Sequence, residues 1–218
     1  MPAYLSRPAS GKSPGLLFVY EIFGSTSEMR RVADDFAASG YAVLMPDLFS
    51  RGSWFSCVRK FMNDLKIGQG QSVQDLLAAR EWLTTRDFTG SDRVAVIGFC
   101  MGGGFALILA KTGLFRVSAP FYGKSPERLD GACPIVASYG ALDKPLAPEI
   151  EKIRSEVQRL GIPADLKLYP DAGHGFMNRA PNAVLGFISA VSPIHGGYRP
   201  AAAADATQRV LAFLKTHL

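Results

Sequence analysis

Short apolar segments alternate with helical patterns along most of the chain, and this alternation restricts the fold more than any other feature of the sequence. The apolar segments are GLLFVYEI (15–22), YAVLMP (41–46), RVAVIGF (93–99), RVSAPFYG (116–123), PIVASYG (134–140) and ADLKLYP (164–170). Each is too short for an ordinary helix and is nearly continuous in apolar residues. Such runs are typical of strands that are covered on both faces, as in a parallel sheet.

Helical patterns occupy the stretches between these predicted strands. They are STSEMRRVADDFAASG (25–40), SVQDLLAAREWLTTR (72–86), CMGGGFALILAKTG (100–113), LAPEIEKIRSEVQRLG (146–161) and AADATQRVLAFLKTHL (203–218). The alternation predicts an α/β fold with a mostly parallel, doubly wound sheet and helices on both faces. No linker composition divides the 218 residues, so we expect one domain over residues 1–218.

Composition and charge argue against several classes of function. The net charge is +5, but the basic residues are scattered and form no nucleic-acid motif, so we interpret them as a solvated surface. No apolar run is long enough to cross a bilayer, and the first residues lack the basic and apolar parts of a secretory signal. We therefore expect a monomeric cytoplasmic protein that binds neither nucleic acid nor membranes.

One glycine-flanked cysteine carries the strongest chemical signal. Gly98-Phe99-Cys100-Met101-Gly102 fits the G-x-S-x-G nucleophile elbow, with sulfur in place of the serine oxygen. The glycines make room for a tight strand-to-helix turn, and the following backbone N–H groups favour an anion at the helix N-terminus. The alternative is a buried structural cysteine before a glycine-rich packing helix. The three cysteines are widely spaced and odd in number, which favours reduced thiols: Cys57, Cys100 and Cys133.

The order of candidate residues supports a nucleophile. In α/β-hydrolases the acid follows a later strand and the histidine follows the last strand, which here predicts Asp143 and His174. In this arrangement Cys100 attacks a carbonyl carbon, His174 transfers the proton, and Asp143 orients the imidazole. Taken singly, the two partners also fit a loop-capping carboxylate and a surface histidine.

Three other residues are weaker candidates for these roles. His195 lies in a Pro/Gly-rich loop, and His217 lies at the end of the last helical pattern. Asp171 is too near His174 in the chain to orient it comfortably.

A charged residue at the end of the first long predicted strand also needs an explanation. Glu21 closes FVYEIFG, where an unpaired carboxylate is costly, so it is either a salt-bridged structural acid or a functional group. The segments EIFG (21–24), GFCMGG (98–103), AGHGF (172–176) and GYAVLMPDLF (40–49) together resemble motifs of the dienelactone hydrolase family. The resemblance spans nearly the whole chain and implies an α/β-hydrolase fold without a large cap domain.

The resemblance also implies roles for individual residues. In that family the glutamate keeps the resting thiol protonated and takes its proton when substrate binds, a role that falls here to Glu21. The backbone N–H groups of Ile22 and Met101 correspondingly form the oxyanion hole. A thiol that stays protonated until substrate arrives is less exposed to oxidation.

The family's substrate-binding arginines are not clearly present. Family members that hydrolyse dienelactone hold the substrate carboxylate with two arginines, and the second position, four residues after the histidine, is Asn178 here. Arg179 follows directly. Arg59 is the nearest candidate for the first arginine, and Arg51 and Lys60 are also available. Dienelactone specificity therefore stays open.

Two segments fit neither a strand nor a helix pattern. Residues 49–71 and 177–200 are rich in aromatic residues, Gly and Pro, and both follow the carboxyl ends of predicted strands, where such sheets bind ligands. We expect them to wall a pocket in which Phe23 and Trp54 contact substrate, although their aromatic residues also fit loops packed on the core.

These patterns predict a cofactor-independent hydrolase of small esters or lactones, including dienelactone-type compounds. No cluster of residues has the spacing of metal ligands, and no G-x-G-x-x-G loop for a dinucleotide occurs. Two alternatives stay open. One keeps the fold but acts on other activated esters, such as aryl or phosphate esters, and the other is a non-catalytic, redox-responsive thiol protein.

Overall fold

A seven-stranded sheet forms the centre of the molecule. The computed structural model describes residues 1–179 and 195–218, with the side chains of 90–92 left aside. The strands are β1 (Ala3–Ser6), β2 (Ser13–Val19), β3 (Ala42–Pro46), β4 (Thr89–Phe99), β5 (Ser118–Phe121), β6 (Ile135–Gly140) and β7 (Ala164–Tyr169). Their order is β1-β3-β2-β4-β5-β6-β7, and every pairing except β1 with β3 is parallel.

The six predicted strands are all present, and the prediction of a mostly parallel sheet is confirmed. The additional strand, β1, alternates exposed and half-buried residues and pairs with β3 at the edge of the sheet. Its alternation is that of a half-solvated antiparallel strand, so it lacks the continuous apolar run that marks the other six strands.

Six helices are described. They are α1 (Ser27–Ala38), α2 (Trp54–Ile67), α3 (Gln71–Thr84), α4 (Met101–Ala110), α5 (Glu149–Leu160) and α6 (Pro200–His217). From β2 to β3 the chain moves toward one edge of the sheet, and from β4 through β7 it moves toward the other edge. Because parallel crossovers are right-handed, α1 lies on the opposite face of the sheet from α4 and α5. Among the described residues, no helix is long and apolar enough to cross a membrane.

The segment 49–71, for which no regular structure was predicted, contains helix α2. Ser53 caps its first turn and Gly68 ends it in the left-handed region at φ 76°. Its buried residues Cys57, Phe61 and Asp64 are spaced by four and three, so a narrow helical periodicity was present within the aromatic-rich sequence. Of the second segment, residues 180–194 lie outside the described part of the chain.

Candidate active site

Five side chains come together at the carboxyl edge of the sheet. Each follows a different strand, and the five are Glu21 after β2, Cys100 after β4, Tyr122 after β5, Asp143 after β6 and His174 after β7. Parallel strands end at one edge, so residues far apart in sequence meet there without a dedicated loop for each. This edge therefore holds the candidate active site.

The turn at Cys100 has the strained backbone of a nucleophile elbow. Cys100 has φ 55° and ψ −115°, a conformation that non-glycine residues rarely adopt. A Cβ on Gly98 would lie 1.9 Å from the carbonyl oxygen of Gly102, and one on Gly102 would lie 2.1 Å from that of Val19. Only glycine fits at these two positions, and their close packing holds the cysteine at the tip of the turn.

The imidazole of His174 is held by a buried carboxylate. Nδ1 of His174 lies 2.7 Å from Oδ2 of Asp143, whose side chain is only 1% exposed. The backbone carbonyl of Asp143 accepts hydrogen bonds from the amides of Leu146 and Ala147, which fixes the acid at the start of a tight turn. A carboxylate in this place fixes a proton on Nδ1, so Nε2 is the nitrogen through which the ring exchanges a proton.

Charge and hydrogen bonding couple His174 to the thiol. Burial by itself lowers the pKa of His174, but hydrogen bonds with Asp143 and Cys100, together with their charges, outweigh burial and raise the pKa to about 10. The Tyr122 ring packs against the imidazole with the ring centroids 4.9 Å apart. The imidazolium is thus the favoured form beside these two partners.

Glu21 is held by an amide. Nδ2 of Asn178 donates a hydrogen bond to Oε2 of Glu21 at 2.6 Å. Burial raises the pKa of Glu21 to about 7, and the charge of Glu28 acts in the same direction, while His174 and the Asn178 hydrogen bond act against it. Glu21 therefore changes its charge close to neutral pH.

Two backbone amides are available for an oxyanion. Within residues 1–179 and 195–218, neither the N–H of Ile22 nor that of Met101 donates to a protein acceptor. The indole Nε1 of Trp54 donates to the carbonyl oxygen of Ile22 at 3.0 Å, which ties the loop after β2 to the start of α2. Trp54 thus contacts the loop of the predicted oxyanion hole. Phe23, which follows Ile22 in the same loop, is 69% exposed.

The candidate substrate-binding arginines lie in different surroundings. Arg51 forms a two-point ion pair with Asp75, and Arg59 is exposed on α2, as is Lys60. The guanidinium of Arg179 lies over the ring of Tyr198 at 5.3 Å. Neither Arg51 nor Arg179 is hydrogen-bonded to the five residues at the carboxyl edge.

The weaker candidates from the sequence have other surroundings. His217 packs on Phe213 at the end of α6, with ring centroids 4.3 Å apart, and the exposed Asp171 accepts a hydrogen bond from Arg199 through its carbonyl. His195 has a positive φ of 45°. None of these three replaces His174 or Asp143 in the geometry described above.

Sequence reasoning did not assign a role to Tyr122 or to the amide of Asn178. Tyr122 is fully buried at φ 37°, and burial raises the pKa of its hydroxyl far above the ordinary value. Its position directly after β5, the neighbour of the elbow strand, was the available signal. The contact between Asn178 and Glu21 joins two loops and has no signature in the sequence.

The fold and the residues at the carboxyl edge of the sheet define the class of protein. The sheet is mostly parallel, and its strained strand-to-helix turn is followed in the sequence by an acid and then a histidine. This arrangement is typical of α/β-hydrolases, and here cysteine occupies the nucleophile position. The model of the dienelactone hydrolase family matches residues 1–218, and the chain belongs to that family. The protein is therefore a carboxylic ester hydrolase, the enzyme class of the family.

Two individual proteins are similar to this chain, one by sequence and one by structure. A protein of Escherichia coli O157:H7 named "Putative carboxymethylenebutenolidase" is 28% identical over 239 residues, covering 100% of this chain and 83% of that protein. A crystal structure described as a "Putative Dienelactone Hydrolase" of Klebsiella pneumoniae has a TM-score of 0.78 at 24% identity and covers 99% of this chain and 92% of that one.

A further solved structure belongs to a dienelactone hydrolase-like promiscuous phosphotriesterase from metagenomic libraries. Its TM-score is 0.79 at 22% identity, with 95% of this chain and 88% of that one covered. At these identities the two structures establish the shared fold, and the predicted α/β-hydrolase fold is confirmed.

Proposed function

We propose that the protein hydrolyses small carboxylic esters or lactones through a covalent acyl-cysteine formed on Cys100. The observation that carries this proposal is that His174 contacts both Asp143, at 2.7 Å, and the thiol of Cys100 at one edge of the sheet. The strained backbone at Cys100 gives independent support, since such conformations persist where the surrounding structure holds a functional group in place.

The chemistry is an acyl transfer in two halves. The thiolate sulfur bonds to the carbonyl carbon, and the carbonyl electrons move to oxygen, which accepts hydrogen bonds from the amides of Ile22 and Met101. Collapse of this intermediate breaks the ester C–O bond, and His174 protonates the departing oxygen. Water then gives a proton to His174, and its oxygen attacks the thioester carbon. The C–S bond breaks, which releases the acid and a thiolate, and Glu21 returns to this thiolate the proton that it accepted before the attack. In a lactone the departing oxygen stays attached to the acyl group.

Glu21 has a separate role, the control of the thiol proton. Its pKa of about 7 leaves a large carboxylate fraction at neutral pH, so it can accept a proton without a strongly basic group. In the described structure its hydrogen-bonding partner is Asn178. Transfer of the thiol proton to Glu21 therefore requires its side chain to turn from Asn178 toward Cys100.

Dienelactone-type compounds are one proposed substrate class, and the name of the Escherichia coli relative points the same way. Aryl and phosphate esters are the comparison substrates. The triad position of the cysteine favours hydrolysis over a purely redox-responsive thiol, because sensing needs neither an oriented histidine nor free amides.

Steady-state hydrolysis of chromogenic esters by Cys100→Ala and His174→Ala tests the proposal. General base assistance alone is worth about 10²–10⁴-fold, so each variant should lose at least that much of kcat. His217→Ala is the matched control, because that histidine lies at the end of α6, and it should keep wild-type rates. Unchanged hydrolysis in both site variants would contradict the mechanism.

A further inference from the structure

The residue that holds Glu21 is neutral and rigidly placed. The backbone N–H of Asn178 donates to the carbonyl of Gly175 at 2.9 Å, which fixes the turn after His174. Its side-chain Nδ2 donates to Glu21 at 2.6 Å. Its Oδ1 is buried and has no hydrogen-bond partner among the described residues. Asn178 thus brings no positive charge to this place, and the one polar atom that it leaves without a partner is a buried acceptor, which disfavours an anion beside it.

The charges around Glu21 also disfavour an anionic ligand. The charged groups that act on Glu21 are His174 and Glu28, and Glu28 is held by a two-point contact with Arg31. Arg31 also pairs with Asp35 at 2.6 Å, so its charge is already balanced by two carboxylates. A substrate carboxylate placed beside Glu21 would meet a like charge. His174 is already paired with Asp143, and Arg179, whose guanidinium lies over the ring of Tyr198, is not among the charges that act on Glu21.

Exposed aromatic rings lie near the loop that carries the Ile22 amide. Phe23 is 69% exposed, Trp54 is 43% exposed, and Phe55, which packs edge-on against Trp54 at 4.9 Å, is 80% exposed. Trp54 is bonded to the loop that carries the Ile22 amide, so these rings lie beside the proposed oxyanion hole. Exposed aromatic side chains offer contact area to apolar groups of a substrate.

We propose that Asn178 is the specificity-determining residue of this site, because it positions the Glu21 carboxyl and its uncharged amide selects esters whose acyl chain carries no carboxylate. The proposal rests on the proposed function and narrows its substrate class to neutral esters with apolar acyl chains. Asn178 acts through Glu21 and is thus a positioning residue.

Two p-nitrophenyl esters of equal acyl length provide the test. One is p-nitrophenyl hexanoate, and the other is the p-nitrophenyl monoester of adipic acid, which ends in a carboxylate. Wild-type kcat/KM should favour the hexanoate by about tenfold or more, because a partly buried like charge costs at least that much. Asn178→Arg should reduce or reverse this ratio by lowering KM for the adipate monoester. Gln158→Arg, which adds the same charge on the exposed face of α5, should leave the ratio unchanged.

A pH profile separates positioning from a merely structural role. The Asn178 hydrogen bond opposes the upward shift of the Glu21 pKa, so Asn178→Leu should move the acidic limb of kcat/KM for the hexanoate to higher pH. This variant should keep the preference for the neutral ester. It also decides the proposal if Asn178→Arg does not fold.

The outcomes distinguish the two proposals. A wild-type enzyme that hydrolyses the adipate monoester as well as the hexanoate, or an Asn178→Leu variant with an unchanged pH profile, would overturn the role of Asn178. If Cys100→Ala is inactive in the same assays, only this inference fails. If Cys100→Ala retains hexanoate hydrolysis, the proposed function itself fails.

Discussion

Glu21 is a buried carboxyl group whose ionisation reduces the stability of the fold. Its carboxyl is largely withdrawn from water, and burial raises its pKa from 4.5 to about 7. A group with a raised pKa in the folded state binds more protons folded than unfolded between these two values. Its contribution to stability is therefore present below about pH 4.5 and is lost as the pH rises through about 7.

Glu21→Gln should remove this pH dependence. At pH 8 the variant should be more stable than the wild type by about 2 kcal/mol in the free energy of unfolding, and at pH 4 the difference should be small. Urea unfolding at the two pH values measures it. Glu127→Gln, at an exposed position, is the control and should show no such pH-dependent gain. An equal effect of Glu21→Gln at both pH values would contradict the burial of a titrating carboxylate.

Gly98 allows the tight turn of the elbow because it has no side chain. A methyl group there would lie 1.9 Å from a backbone carbonyl oxygen that cannot move without shifting α4. Gly98→Ala should therefore cost more than about 3 kcal/mol and remove activity. Gly161→Ala, in the left-handed region but with open space around it, should cost only about 1 kcal/mol. Thermal and urea unfolding of the two variants compare a clash with simple backbone strain, and similar costs would contradict this account.

Among the helices, α2 connects α3 to the loop after β2, which carries the proposed oxyanion hole. Its buried residue Asp64 accepts hydrogen bonds from the backbone N–H and hydroxyl of Ser72, which satisfies the first turn of α3. At its other end, Trp54 holds the carbonyl of Ile22. The helix is thus fixed at its C-terminal end and supports the loop after β2 from its N-terminal end.

Trp54→Phe should lower kcat more than stability. The variant keeps the aromatic ring and loses the hydrogen bond to Ile22, so the amide of that residue is less well oriented. We expect kcat to fall by about two- to tenfold, the equivalent of one ordinary hydrogen bond, with little change in Tm. Trp82→Phe on α3, similarly exposed at 40%, is the control. Equal effects of the two substitutions on kcat would contradict a role for the Trp54 hydrogen bond.

The strands, the helices and their order could be predicted from the sequence more fully than the contacts between loops. The apolar runs located six strands because burial on both faces leaves a continuous signal, whereas the half-solvated edge strand β1 and the aromatic-rich helix α2 were not found. The meeting of Cys100, Asp143 and His174 at one edge could be predicted because each follows a strand of a parallel sheet. The contact of Asn178 with Glu21 depends on how two loops fold over the edge, which no local pattern specifies.

At the scale of the whole molecule, α6 fixes the loop that carries the histidine. Arg209 on α6 donates from Nε to Asp165 at 3.0 Å and from a terminal nitrogen to the hydroxyl of Tyr169 at 3.2 Å, both on β7. At the start of α6, the backbone N–H of Arg199 donates to the carbonyl of Phe176 at 3.0 Å. The position of His174 therefore depends on the docking of a helix from the far end of the chain.

Arg209→Met should loosen this docking. The variant loses charge-assisted hydrogen bonds at a half-buried position, so the free energy of unfolding should fall by about 2 kcal/mol. Arg154→Met removes an exposed ion pair within α5 and should cost less than about 0.5 kcal/mol. Urea unfolding monitors both variants. A loss no larger for Arg209→Met than for Arg154→Met would contradict this role of α6.

Trapping the acyl-enzyme shows whether Cys100 is the nucleophile. Rapid acid quenching of the protein during turnover of p-nitrophenyl hexanoate, followed by mass spectrometry, should show one hexanoyl adduct on the peptide that contains Cys100. His174→Ala should form it more slowly, because the thiolate is no longer paired with an imidazolium. Turnover that persists in Cys100→Ser without any adduct at position 100 would contradict catalysis through this cysteine.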